Sequence, residues 1–95
     1  MAELSPRPVH PGEILREDFL PDYQLTAGSL ARALFVPRDR MEKIIREKRE
    51  VTADTAKRLA RYFGTTPQFW MNLQANYDLA TISDEGMQRI EARAG

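Results

Sequence analysis

Between Pro37 and Thr52 the chain reads RDRMEKIIREKREV, and three positions in it, Met41, Ile44 and Ile45, are apolar at helical spacing. If those three face a core, Arg38, Asp39, Arg40, Lys43 and the neighbouring Glu42 face outward. Such a face suits base edges in a DNA groove, because arginine can donate two bonds to guanine and a carboxylate can accept from cytosine. Arg46, Lys48 and Arg49 follow at the helix end and in the next loop, where cations suit phosphates and fix register without reading sequence. A plain solvated face explains the same residues. Arg38 with Glu42, Asp39 with Lys43 and Glu42 with Arg46 are i, i+4 pairs, each worth roughly 0.2–0.5 kcal/mol to a helix without any ligand.

The charge distribution sharpens the choice. The 95-residue chain is formally neutral, yet Arg32 to Arg61 holds ten basic against five acidic residues, with acidic segments on either side. A basic middle between acidic ends implies one cationic face rather than a cationic surface. There is no cysteine, which excludes disulfides, thiolate metal sites and a cysteine nucleophile. His10 is the only histidine and has no partner cluster, so neither a multi-histidine zinc site nor a Ser/His/Asp triad is expected. No glycine-rich phosphate loop or carboxylate pair appears. The reading is therefore of a protein without catalytic residues, cofactor or metal.

These side chains need elements to hold them. Residues 1–9, with Pro6 and Pro8, read as an N-terminal arm. Pro11 suits a helix start, Glu13 its first turn, Ile14, Leu15 and Phe19 its apolar face, and Pro21 its end. Thr26 caps a second helix with Leu30, Ala33 and Leu34 inward and Leu25 placed for a hydrophobic staple. Pro37 starts the third. Thr52 caps a fourth carrying Ala56, Leu59, Ala60 and Phe63, and Gly64 stops it. Thr66 and Pro67 open a fifth with Phe69, Trp70, Leu73 and Tyr77, an aromatic stripe that spacing alone assigns to core. Ser83, Asp84 and Glu85 mark the start of a last helix with Met87, Ile90 and Ala94 on one stripe. The expected fold class is all-α: a five-helix domain over residues 10–80 and a helical extension over 81–95. The second and third helices, joined across Phe35 and Val36, form a helix-turn-helix.

Three blocks, HPGEIL from His10, VTADTAKRLARYFGT from Val51 and FWMNLQANYDL from Phe69, resemble the HigA-type antidote proteins of bacterial toxin-antitoxin operons, a branch of the XRE-type helix-turn-helix proteins. The resemblance covers residues 9–80. It implies a lambda-repressor-like domain in a homodimer that binds operator DNA, represses its own operon, and neutralises a RelE-like mRNA-cleaving toxin; the expected cytoplasmic location comes instead from MAELSPRPVHPGE, which lacks the apolar stretch of a secretory signal. It puts Arg38, Asp39, Arg40 and Lys43 on the recognition helix, Ser29 and Arg32 on a phosphate-contacting helix, and Phe69, Trp70, Leu73 and Tyr77 in a core that also serves the dimer. The chain departs from the family pattern at Phe35, where glycine is frequent in the turn, at Ala27 for glutamine, at Glu42 for asparagine, and at Glu47 and Glu50 for glycine. Two other readings stay open: an interaction protein that binds a toxin but DNA only weakly, and a stand-alone repressor.

Overall fold

Threonine opens three of the helices in the computed structural model, which describes residues 7–93. The Thr26, Thr52 and Thr66 hydroxyls accept from the backbone N–H groups of Ser29, Thr55 and Phe69, satisfying donors that a helix start leaves unpaired. At Thr26 the Ser29 hydroxyl also accepts from the Thr26 N–H, completing a reciprocal capping box. His10 opens the first helix in the same way, its Nδ1 accepting from Gly12 N–H at 2.9 Å.

Five helices follow. Helix α1 covers residues 11–23, α2 is Ala27–Leu34, α3 is Arg38–Ile45, α4 is Ala53–Phe63 and α5 is Pro67–Thr81. No strand occurs among the described residues. Helices α2 and α3 form the helix-turn-helix, and α1 and α4 brace them from either side. Leu15, Leu30, Leu34, Met41, Ile44, Val51, Leu59 and Trp70 close one core between all five. On α2 it is Ala31, rather than Ala33, that joins Leu30 and Leu34 in that core.

Pro21 does not end α1. The segment Leu15–Phe19 is a π-type turn in which Leu20 N–H reaches back five residues to the Leu15 carbonyl. In a regular helix a proline ring collides with the carbonyl four residues earlier. The wider turn removes that collision, and the helix continues as Leu20–Tyr23. The stop comes at Gln24, in the left-handed region at φ 55°.

Gln24, Phe35 at φ 59° and Glu47 at φ 64° each end a helix in the left-handed conformation. Each is followed by the same bond pair, for example Phe35 N–H to Arg32 O and Val36 N–H to Ala31 O, which satisfies carbonyls that the helix end would orphan. Left-handed backbone costs a residue with a side chain about 1–2 kcal/mol. Side-chain packing does not offset that cost at Phe35, which is 88% exposed. The glycine at the fourth stop, Gly64, adopts φ 75° as expected.

Past Thr81 the expected C-terminal helix is a single 3-10 turn, Met87–Arg89, and Leu79, Ile82, Met87 and Ile90 are exposed. Gly86, in the left-handed region, separates the acidic start at Asp84 and Glu85 from the stripe that was to follow it. Ala94 and residues 1–6 of the N-terminal arm lie outside the described residues.

Candidate nucleic-acid interface

The outer face of α3 carries its charges in pairs. Arg38 Nε meets Glu42 Oε2 at 2.8 Å and Lys43 Nζ meets Asp39 Oδ2 at 3.1 Å, and Arg38, Asp39 and Lys43 are all solvent-exposed. Pairs this exposed are weak, and a polyanion can exchange them. The face is therefore available, but nearly neutral until a ligand separates its ions.

Arg40 is placed differently. Its Nη1 donates to Asp54 on α4 at 2.8 Å, and its half-buried side chain lies against that helix. Asp54 also receives Arg58 Nε at 3.0 Å, and Arg58 Nη1 donates to the Leu34 carbonyl at the end of α2 at 2.8 Å. Arg58 first and Arg40 second hold the Asp54 carboxyl below the usual carboxylate range. Sequence spacing put Arg40 on the reading face; in the structure it is the first link in a chain of ionic contacts joining α3, α4 and α2.

Ser29 is also committed elsewhere, because its hydroxyl belongs to the α2 capping box. Arg32, Arg46, Lys48 and Arg49 are exposed and have no carboxylate partner among the described residues. These four cations are held by no internal ion pair among the described residues.

What fixes α3 in place is the start of α1. A Cβ at Gly12 would lie 1.8 Å from the Ile44 carbonyl oxygen, so only glycine permits this approach of the two backbones. Arg16 donates to the Ile45 carbonyl and pairs with Glu47 Oε2 at 3.0 Å, supplying a cation at the C-terminal end of α3 where the helix dipole favours one. The following loop is tied to α5 by Gln74, whose buried Oε1 accepts from Val51 N–H at 2.8 Å while its Nε2 donates to Asp78 at 2.9 Å. His10 packs edge-on against Tyr77 at 4.9 Å. Burial pushes its imidazole below the ordinary histidine range, and nearby Glu47, Asp78 and the Arg49 backbone only partly offset this.

Arg16, Asp54 and Gln74 were not among the expected site residues. A signal for Gln74 existed: a lone amide four residues after Trp70, on the stripe that should be apolar. Trp70 itself is fully buried and donates Nε1–H to Thr65 Oγ1 at 2.7 Å. Leu73 and Tyr77 are half-buried, and Phe69, edge-on to Trp70, is 39% exposed. Among the described residues no cluster has metal-ligand composition, and no helix is long and apolar enough to cross a membrane.

No family model matches the chain. Virulence-associated protein I of Dichelobacter nodosus is 55% identical to it over 82 residues, which cover 86% of this chain and 75% of that one. Antitoxin HigA-1 of Vibrio cholerae is 38% identical over 79 residues, covering 83% and 74%. The chain belongs to the HigA-type antitoxin family. Within that family the solved structure of Pseudomonas aeruginosa antitoxin HigA with the higBA promoter is 50% identical, covers 90% of this chain and 92% of that one, and superposes with a TM-score of 0.81. The all-helical helix-turn-helix fold is thus shared with HigA-type proteins, and the blocks at His10, Val51 and Phe69 hold α1, α4 and α5 around α3.

Proposed function

We propose that the protein is a dimeric, cytoplasmic antitoxin that represses its own operon by binding operator DNA through α3 and neutralises a RelE-like toxin. The observation that carries this reading is the exposed face of Arg38, Asp39 and Lys43 on the second helix of a helix-turn-helix whose half-identical relative is solved with its promoter. Arg38 and Lys43 exchange Glu42 and Asp39 for base edges, while Arg32, Arg46, Lys48 and Arg49 take phosphates. Ser29 acts through the α2 cap and Arg40 through Asp54, so both position the reading helix. A dimer presents two α3 helices about 34 Å apart, to successive major grooves of a palindromic site. No residue is assigned to catalysis, and no cofactor or metal is called for.

The test is a fluorescence-anisotropy titration against the DNA upstream of the gene and a scrambled duplex of equal length, at two salt concentrations. Preference for the upstream DNA, with affinity near 10⁻⁸ M, is the expected result. Arg38→Ala should cost roughly 1–3 kcal/mol of that preference, whereas Lys48→Ala should weaken both duplexes alike and reduce the salt slope by about one. Equal, salt-labile binding to both duplexes would refute operator reading. It would favour instead a toxin-binding protein with weak DNA affinity, a reading that rests on the self-paired charges of α3.

A further inference from the structure

His10 is the chain's one histidine, so no other side chain has an ordinary pKa between about 5 and 8. It is 3% exposed and held on two sides. Nδ1 accepts from the buried Gly12 N–H at 2.9 Å, and Tyr77 packs edge-on against the ring at 4.9 Å. An imidazole whose Nδ1 accepts carries its proton on Nε2, so a second proton would set N–H against N–H at the Gly12 contact.

The contact broken in that way lies where α1 meets α3. Gly12 approaches the Ile44 carbonyl so closely that no Cβ fits between them, and Arg16, one turn on, holds the Ile45 carbonyl and Glu47. The loop beyond carries Lys48 and Arg49. A cleft of about 480 Å³ opens beside the ring, between that loop and α5, and His10 forms part of its wall. Carboxylates line it from both sides, Glu47 and Glu50 on the loop and Asp78 on α5. The cations near the ring are Arg16 on α1 and Lys48 and Arg49 on the loop, and Tyr77 is the remaining titratable neighbour. Burial opposes a charge on the ring most strongly, whereas Glu47 and Asp78 favour one by more than Arg16 opposes it. A charged ring therefore gains by leaving its buried seat for the cleft.

We propose that His10 is a positioning residue that makes operator binding sensitive to pH. Neutral, it ties the start of α1 against the end of α3. Protonated, it gives up the Gly12 N–H and turns into the cleft toward Glu47, Glu50 and Asp78. The start of α1 then loses its cap and Glu47 is drawn from Arg16, so both ties on the end of α3 and its phosphate-binding loop loosen together. The DNA-bound form keeps the ring neutral and binds the proton less readily than the free form. Affinity is therefore lost as pH falls through the free form's titration, below the ordinary histidine value of about 6.5. Added charge alone acts in the opposite direction, because one more cation strengthens the hold on phosphates. The inference rests on the operator reading above and adds its regulation.

The anisotropy titration against upstream and scrambled duplexes, repeated at about pH 7.5 and about pH 5.5 with helicity followed by circular dichroism, tests it. Wild-type Kd for upstream DNA should rise at least about fivefold at the lower pH with helicity unchanged, under a ceiling of about tenfold per pH unit for each proton taken up. His10→Asn keeps a cap acceptor and cannot take the proton, so it should bind within about threefold of wild type at the higher pH and show no pH dependence. Without any substitution, the ring's titration followed by NMR should move to lower pH when upstream DNA is bound, as linkage requires. Three results would overturn the coupling and leave the operator reading standing: wild-type affinity equal or stronger at the lower pH, a His10→Asn protein that keeps the wild-type profile, or a ring titration that DNA leaves in place or moves upward. An affinity loss that tracks lost helicity would overturn it too. No preference for upstream DNA at the higher pH would overturn both.

Discussion

Replacing Gly12 with alanine should do about as much damage as truncating a large core side chain. The new Cβ would sit 1.8 Å from the Ile44 carbonyl oxygen, and Cβ contacts under 3.0 Å essentially do not occur, so α1 and α3 must separate by more than an ångström. The atom it meets is backbone, with no rotamer to move away. That displacement costs about 1–3 kcal/mol as overpacking. It also carries Arg16 away from the Ile45 carbonyl and stretches the 3.0 Å pair with Glu47, for a further 1.5 kcal/mol or so as a charge-assisted bond. The sum is roughly 2.5–4.5 kcal/mol, a large part of the roughly 5–14 kcal/mol a domain of this length holds. The expected fall in Tm is roughly 10–36 °C. Calorimetry and urea unfolding measure it, with two other glycines as references. Gly28→Ala meets only an ordinary contact at 3.5 Å inside α2 and should be neutral or stabilising by up to about 1 kcal/mol. Gly64→Ala has open space but φ +75° and should cost about 1 kcal/mol. A Gly12→Ala protein within about 1 kcal/mol of wild type would refute the backbone-approach argument. Measured at low temperature where it is folded, that variant should also lose operator preference, because the same displacement moves α3.

Three further outcomes follow from the contacts around α3. Asp54→Asn should lower the preference for upstream over scrambled DNA in the anisotropy assay while leaving scrambled-duplex binding equal or slightly stronger, since a negative charge is gone but Arg40 is released; unchanged preference would return Arg40 to an independent role. Stability should fall on acidification below about pH 6.5 through His10, because its folded-state pKa is depressed and the unfolded chain binds the extra proton more readily, with a slope no steeper than about 1.4 kcal/mol per pH unit. Urea midpoints between pH 7 and 5.5 check this, and His10→Asn, which keeps a cap acceptor, should flatten the curve. Gln74→Leu leaves the buried Val51 N–H without its partner and should cost about 1–3 kcal/mol by chemical denaturation, against well under 1 kcal/mol for an exposed control such as Gln68→Leu.

Helix starts were legible in the sequence because their chemistry is local: Thr26, Thr52 and Thr66 each satisfy a donor three residues away, and a reader of single residues can find them. The apolar faces of α3 and α4 were legible for the same reason, since period is a property of a short window. Spacing placed Arg40 on the reading face but could not show its contact with Asp54, which lies fourteen residues later on another helix, because no periodicity links them. Ser29 was placed on the phosphate-contacting helix by resemblance, which does not show that its hydroxyl also completes the cap with Thr26 three residues back. Pro21 was read as a stop because the rule for proline presumes a regular helix around it. The C-terminal turn looked helical from Met87, Ile90 and Ala94, but Gly86 stands between its acidic start and its stripe.

The π turn at Leu15–Phe19 has a consequence for how α1 can change in length. One residue in an α-helix is about 100° of rotation. A wide turn is in effect one residue inserted into a helix that stayed intact, so the two halves of α1 are phased independently: Gly12 is aimed at the end of α3 while Phe19, 4.7 Å from Phe63 and 5.1 Å from Trp70, is aimed at the aromatic cluster over α4 and α5. Deleting the exposed Asp18 would restore regular winding and bring the Pro21 ring back against the carbonyl four residues before it, at a position where substitution of the same residue should be silent. In this helix the number of residues is under tighter constraint than their identity.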